Sequence, residues 1–482
     1  MFAMSCFPRS ISCRTFDSLR TAAYNRPQTI APMKGYRMKT ACLVACALLL
    51  GALHAPAALA ELRAGAARID ITPEQTKLPR GYEGINDRIF VRAIVLDDGQ
   101  TRAGLVTVDA GAVPTDVWSQ VSQQVQAQLR IPADHLLVTA THTHSVPFTF
   151  GRELAPSIVK AVSEATGRLQ PARMAYGTGV SYINVNRNII DPQTHRWWEG
   201  PNYEGPSDKT VAVIRFEAPD GKPIGVYYNY AVHGVLNGQL DQISGDIPGA
   251  ASRYIEESLD DAAVAVWSTG AAGDQNPIYF QQTYDLREIR IKDYAARGVD
   301  ISNAMPPGGQ GLNRKDPKVA RLMNQQRQMT VSMGQMLGEE VLHVMRAGLE
   351  RPMVSTRISG AQKTVTCPGR KRTDSGRAGY PGAYAEADPI PIRLSLVKVG
   401  DIALAGVNAE VFTTIAQRLK RESPLKHTMM VTLTNGMAPS GYIPNDAAFG
   451  YNTFEVVSSN LKPGCAETAI TDGLLDLIGQ VP

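Results

Sequence analysis

Two histidines one residue apart, His142 and His144, close the run Leu136-Leu-Val-Thr-Ala140-Thr141-His142-Thr143-His144. An extended chain projects alternate side chains to the same side, so both rings can meet at one point where the strand ends. Neutral imidazoles so paired begin many zinc sites, and they also occur as packed pairs with no ligand. A metal needs a third protein ligand and usually a fourth group. Residues 61–482 hold seven histidines. His135, in a Pro-Ala-Asp turn, and His427, after Lys426, read as surface groups. His343 lies among Val341, Leu342 and Val344 and reads as structural. His195, before Arg196-Trp197-Trp198, could line a cleft. His233 differs, because it ends the run Val226-Tyr-Tyr-Asn-Tyr-Ala-Val232 and precedes Gly234. A second strand end therefore delivers an imidazole. Glu410, taken alone, reads as a carboxylate favoured by the positive end of a helix.

The elements around these residues follow from local pattern. Ile89–Leu96 and Ala103–Val108 are β-type runs joined by Asp97-Asp98-Gly99, a hairpin signal. Thr115 is a suitable N-cap for a helix over 116–130 with the stripe Val117, Val121, Val125, Leu129. The strand at 136–140 follows, so His142 and His144 leave a carboxyl strand end, where ligand sites gather in α/β sheets. The pattern continues with a helix over 155–169 and strands over 210–216 and 223–230. A helix over 247–259 and a strand over 262–267 follow. Residues 281–313 read as a long loop or lid, and 317–349 as a long helix. Residues 368–388 read as a loop between the helix and strands over 390–397 and 402–407. A helix over 412–421 and a strand over 429–433 precede an irregular stretch, 436–460. No internal sequence repeat is visible. Ser157-Ile-Val-Lys160 matches S-x-x-K without its companion motifs, and no G-x-S-x-G occurs.

The chain has 482 residues and a formal charge of +4. Residues 1–60 carry seven Lys or Arg against one Asp, a surplus of six that leaves residues 61–482 at −2. The basic balance belongs to a targeting segment, and no nucleic acid partner is expected. Residues 1–37 read as an upstream extension, in which Arg9, Arg14, Arg20 and Arg26 would also suit a transit peptide. Met38-Lys39-Thr40, the apolar run 41–53 and Ala58-Leu59-Ala60 read as a signal peptide over 38–60, cleaved near Ala60. Leu43-Val44-Ala45-Cys46 resembles a lipoprotein box, with too little apolar sequence before it. The expected location is periplasmic or secreted. Cys367 and Cys465, which remain in residues 61–482, could then pair or stay as separate buried thiols. No other apolar run is long enough to span a membrane. Residues 61–482 suit one large α/β domain or two fused ones.

Several motifs occur in one order: Asp70-Ile-Thr-Pro73, Gly81-Tyr82, His142-Thr-His144, Asn186-Arg187, Ala231-Val-His233, Ile243-Ser-Gly-Asp246, Gly273-Asp274-x-x-Pro277 and Ala409-Glu-Val-Phe-Thr-Thr414. Over residues 62–460 the chain resembles the neutral/alkaline (non-lysosomal) ceramidase family. The resemblance implies a large single catalytic domain of mixed sheets and helices in residues 61–482. It also implies one catalytic zinc per chain, held by His142, His144, His233, Glu410 and a tyrosine. Tyr442 fits that tyrosine best, with Tyr451 as its rival. It further implies Arg187 and Tyr451 as groups that polarise the substrate; on chemical grounds a ligand or neighbouring acid, His144 or Asp274, must pass a proton to the leaving amine.

Such a centre cleaves a linear amide by attack of zinc-bound hydroxide, turning ceramide or another N-acyl compound into fatty acid and amine. Two departures from the family matter. Asn276 stands where the pattern has serine, which argues against a covalent serine mechanism. The chain also has no room for the family's C-terminal β-sandwich domain, so a smaller soluble amide or ester is a rival to ceramide, with at most peripheral membrane contact. A (β/α)₈ amidohydrolase would place His-x-His after its first strand and leave Glu410 without a role. A non-catalytic exported binding protein with a vestigial site draws its support from Asn276.

Overall fold

The computed structural model describes residues 61–301, 312–374, 376 and 378–481. The expected extension and leader over residues 1–60, and the Pro306-Pro-Gly-Gly309 stretch, lie outside them. The described chain is a mixed α/β domain, as expected, and among the described residues no separate β-sandwich domain occurs.

Three sheets carry the fold, and they share one plan. In the first, strands Arg63–Asp70, Phe90–Asp97 and Arg102–Val108 run antiparallel. The helix Thr115–Leu129 then crosses over to Leu136–Ala140, which pairs parallel to the third strand. The second repeats this with Arg173–Val180, Thr210–Glu217 and Pro223–Tyr230, the helix Asp246–Ser258 and the parallel strand Val264–Thr269. The third uses Ile358–Arg372, Tyr384–Val399 and Ile402–Val407, the helix Thr413–Glu422 and the parallel strand His427–Val431. A structural repeat of three units is therefore present where no sequence repeat is visible. Strands need only a period-2 or continuous apolar pattern, which many unrelated residues satisfy.

The three parallel strands meet at their carboxyl ends through a ring of buried threonines. Thr269 Oγ1 donates to the Ala140 carbonyl at 2.8 Å, and Thr139 Oγ1 donates to the Thr432 carbonyl at 2.9 Å. Thr432 Oγ1 donates to the Gly270 carbonyl at 2.8 Å and faces that of Thr269 at 3.2 Å. The Thr432 amide also donates to the Thr269 carbonyl at 2.8 Å, and Thr139 bridges Thr434. Ends of strands in separate sheets cannot satisfy one another by ladder pairing alone, and the hydroxyls supply the missing donors.

Local chemistry explains some boundaries. Val117, Val121 and Val125 bury one face of the first crossover helix, which stops at Arg130 in a left-handed conformation, φ 58°. Asp316 caps the long helix Pro317–His343, accepting from the amides of Lys318 and Val319, with Pro317 in its first turn.

Five expectations fail. Thr115 is not an N-cap, since its hydroxyl bonds Met437 at 3.1 Å and Pro114 takes the cap position. Residues 281–295 are a helix, Gln281–Ala295, whose buried Thr283, Leu286 and Arg290 give little apolar period to read. Residues 368–388 are largely the outer part of a long hairpin, with pairs as far as Arg372↔Tyr384 and a bulge near Cys367 that absorbs Pro368. His427 is buried, 3.0 Å from Glu350 and stacked on Tyr176. His343 is on the solvent face, with its side chain 68% exposed. The helix Ala466–Gln480 closes the third sheet, and the Cys367–Cys465 disulfide ties its start to the hairpin. No described helix is long and apolar enough to cross a membrane.

Candidate metal centre

The three units bring their loops to one place. Two or three residues beyond the strand ends Ala140, Tyr230 and Val407 stand His142, His233 and Glu410, one from each unit. In the first unit, Gly111 holds the position three residues beyond Val108 that His233 and Glu410 occupy in the others.

The reach of His142 is not that of a simple strand. Its backbone is left-handed, φ 60°, so the extended His-x-His expectation fails at this residue. A β-carbon residue in that region is strained, and it persists where the surroundings fix it. Here His142 Nδ1 contacts the Gly111 carbonyl at 2.7 Å. Thr143 bridges Gly234, and its hydroxyl donates to the Ser244 carbonyl at 2.7 Å. The turn swings His144 back, and its Nε2 lies 3.2 Å from His142 Nε2. His233 Nδ1 contacts the Gln275 carbonyl at 3.1 Å, which aims its Nε2 inward. Glu410 Oε2 lies 3.1 Å from His142 Nε2 and 3.2 Å from His233 Nε2. The ligand atoms of the three histidines all lie within 4.8 Å of one another.

These contacts fit a metal better than they fit each other. A carbonyl accepts, so Nδ1 of His142 and of His233 must carry the proton, which leaves each Nε2 as a lone pair in the neutral ring. Both lone pairs face a carboxylate oxygen that also only accepts. Burial pulls His142 down, but Glu410 and the Gly111 carbonyl outweigh it and hold its proton more firmly than usual. That proton can serve Glu410. It cannot serve His233, which burial and Arg187 push down to about 4. Burial and the two neighbouring imidazoles take His144 well below its ordinary range. Burial works against the Glu410 charge, yet His142 and His233 keep its carboxyl well below the usual range. A tetrahedral ion with bonds near 2.0–2.1 Å has ligand separations of about 3.3 Å, close to the spacings here. The same carbonyls fix the ring orientations from behind, as around bound metals.

Tyr442 stands beside this group, because Glu410-Val411 pairs in parallel with Tyr442-Ile443. Burial and Glu410 raise its phenol far above the ordinary value, and its ring lies 5.5 Å from the Arg187 guanidinium. Arg187 is buried and heavily engaged. Its Nε donates to Glu455 at 2.6 Å, one terminal nitrogen to the Gly273 carbonyl at 2.8 Å, and the other faces Asn276 Oδ1 at 3.3 Å. Asn276 in turn donates to Glu199 at 3.0 Å, so the position expected to be serine in the family is a bracket for Arg187. Asp274 is buried too, and burial pushes its carboxyl up to about 6. Its oxygens accept from the Thr413 amide at 3.0 Å and from Asn186 at 2.9 Å, which anchors the helix after Glu410.

His142, His144, His233, Glu410, Tyr442 and Arg187 are thus brought together. Tyr451 is not, being 42% exposed on a surface turn. His195 lies on an exposed turn with φ 55°. Glu455 went unnoticed in the sequence. It sits in a single helical turn capped by Thr453, and only its burial against Arg187 marks it. Phe148, 5.5 Å from the His144 ring, and Gly111 were also unmarked.

A mixed α/β domain of three like units, with a buried histidine cluster able to hold a metal ion where their loops meet, is the class that fold and site define. Residues 74–283 match the family described as neutral/alkaline non-lysosomal ceramidase, N-terminal. Neutral ceramidase of Pseudomonas aeruginosa is 28% identical over 300 residues, covering 53% of this chain and 44% of that protein. Neutral ceramidase A of Dictyostelium discoideum is 30% identical over 210 residues, covering 39% of this chain and 29% of that protein. The chain thus matches less than half the length of these relatives. A solved ceramidase complexed with C2 superposes with a TM-score of 0.64 at 16% identity, over 87% of this chain and 75% of that one. The neutral ceramidase structure from Pseudomonas aeruginosa gives 0.62 at 16% identity, over 87% and 74%. At that identity the likeness is one of fold.

Proposed function

We propose that this chain is a zinc-dependent hydrolase that splits the amide bond of an N-acyl compound into a carboxylic acid and an amine. One observation carries the reading: a single oxygen of Glu410 lies 3.1 and 3.2 Å from inward nitrogens of His142 and His233, an arrangement a divalent cation resolves. His142, His233 and Glu410 would hold the ion, with Tyr442 beside them. Zinc bound there would supply a Lewis acid for the carbonyl and make water acidic enough to attack near neutral pH. His144 contacts only His142 within this set and is the most open of the three rings. It stays neutral, so it takes the proton of the attacking water and returns it to the nitrogen as the C–N bond breaks. Arg187 fixes the Tyr442 hydroxyl, which steadies charge on the carbonyl oxygen. Phe148 covers the rings and limits water. A cavity of about 280 Å³ beside Arg187 and Asn276, lined by Tyr203, Phe280, Tyr284 and Met329, offers an apolar wall for part of the substrate. The relatives' names make ceramide one candidate, and a more soluble N-acyl amine is the other. The Cys367–Cys465 disulfide supports an oxidising location, periplasmic or secreted.

The test combines metal content with turnover. His142→Ala is expected to lose zinc. His144→Ala is expected to keep it and to lose at least about 100-fold in kcat on N-acyl substrates. Equal zinc in His142→Ala and wild type would end the metal assignment. No release of acid from long or short N-acyl amines by zinc-loaded protein would end the amide assignment.

A further inference from the structure

A second polar cluster lies where the long hairpin of the third sheet opens, beyond the pair Arg372↔Tyr384. Two guanidinium groups flank one ring: Arg370 Cζ lies 3.9 Å and Arg372 Cζ 5.7 Å from the Tyr384 centroid. Phe449 packs on Arg370 as well, at 4.9 Å. Arg370 donates one terminal nitrogen to the Val456 carbonyl at 2.6 Å, and Arg372 donates Nε to Asp374 at 2.5 Å. Arg370 Nε, both terminal nitrogens of Arg372 and the Tyr384 hydroxyl are buried with no hydrogen-bond partner. The Arg372 side chain is only 11% exposed. A Cβ at Gly382 would stand 2.6 Å from Arg372 Cζ, so glycine lets the backbone close over the guanidinium.

The charge does not balance. Arg372 and the amides of Ala383 and Gly376 hold Asp374 down at about 2, so it is anionic, but it answers one of two cations. Burial and the Arg372 charge together loosen the Arg370 proton. Buried donors without acceptors on a net cation are costly, and an oxyanion supplies several lone pairs at once. Guanidinium groups suit carboxylate and phosphate by geometry as well as charge. Val456 adjoins Glu455, the partner of Arg187, and the Gly379 amide donates to the Asn452 carbonyl at 2.7 Å. The hairpin is therefore fastened to the same segment that presents Tyr442.

We propose that Arg370, Arg372 and Tyr384 form a binding site for an oxyanion, a carboxylate or a phosphate, on the hairpin fastened to the segment that carries Glu455. Ceramide carries no such group. The extension that a hydrolysed N-acyl compound bears an acidic group rests on the hydrolytic reading, whereas the binding itself does not.

Calorimetric titration of the full chain with inorganic phosphate and with N-acetylglycine tests the site. Binding is expected to persist in the His142→Ala/His144→Ala protein, which separates it from the metal centre. It is expected to weaken at least about tenfold in Arg372→Gln, the loss of a charge-assisted pair, and less in Arg372→Lys. Tyr384→Phe provides a second variant if Arg372→Gln does not fold, as judged by its thermal transition without ligand. Flotation with phosphatidylglycerol against phosphatidylcholine vesicles separates the sources. Arg372-dependent retention on the anionic vesicles assigns a lipid headgroup, and titration without retention assigns a soluble anion. Unchanged affinity in folded Arg372→Gln overturns the proposal. So does loss of binding only in the histidine variant, or no saturation of wild type by either anion up to about 10 mM, a very weak affinity.

Discussion

Replacing Thr432 by valine removes one hydroxyl and little volume, at the point where all three units touch. Thr432 Oγ1 donates to the Gly270 carbonyl at 2.8 Å, and the Thr432 carbonyl receives the Thr139 hydroxyl at 2.9 Å. The residue is 1% exposed, so water cannot replace the lost donor freely. A buried carbonyl left without its donor costs about 1–3 kcal/mol, and that is the expected loss for Thr432→Val. Thr432→Ser keeps the donor and should lose under about 1.5 kcal/mol, the range for removing one buried methyl. The assay is urea unfolding of metal-free protein, followed through the midpoint with the slope held constant. The ring also predicts coupling: Thr432→Val with Thr139→Val should cost measurably less or more than the sum, because the two share one carbonyl network. Valine and serine variants of equal stability would refute the reasoning, as would a neutral Thr432→Val.

Three further outcomes follow from other parts of the chain. Burial pushes the Asp246 carboxyl up to about 6 from its ordinary value of 3.8. An acid whose folded value is raised disfavours folding once ionised, so its cost is absent below about pH 4 and complete above about pH 6, at most about 3 kcal/mol. Asp246→Asn should flatten that fall between pH 4 and 6 in thermal melts, and an unaltered profile would count against it. Cys465→Ser opens a loop of 98 residues and should lower stability by up to about 4–5 kcal/mol, with reduction of wild type doing the same. Adding zinc at about 100 times its dissociation constant should stabilise the metal-free protein by about 2.7 kcal/mol, an effect lost in His142→Ala.

What could be read beforehand depended on whether a signal was local. Strand ends and crossover helices carry apolar patterns, so Pro223–Tyr230 and Ile402–Val407 were placed to the residue. His142 and His233 were visible because each follows such a run. Glu410 was not visible from pattern alone, since its parallel neighbour Tyr442 lies 32 residues on and their pairing is two residues long. Glu455 had no signal at all, because its meaning is the contact with Arg187 across the site. The helix Gln281–Ala295 was missed for a related reason. Its buried face includes Thr283 and Arg290, polar groups satisfied by tertiary contacts that a periodicity cannot anticipate.

The three-unit plan explains why the chemistry is scattered along the chain. Each unit has its own sheet and crossover helix, yet each offers only part of a coordination set at its loop end. The first gives His142, with His144 beside it, the second His233 and the third Glu410. A centre divided in this way forms only when the three carboxyl ends are locked together, and the threonine ring does that directly behind it. Thr139 and Thr269 are within a few residues of His142 and Asp274, and Thr432 bonds both of their strands. Tertiary assembly and ligand geometry are therefore one event. Cutting a hydroxyl in the ring should loosen the metal as well as the fold, whereas cutting a salt bridge on the exposed helix faces should touch neither.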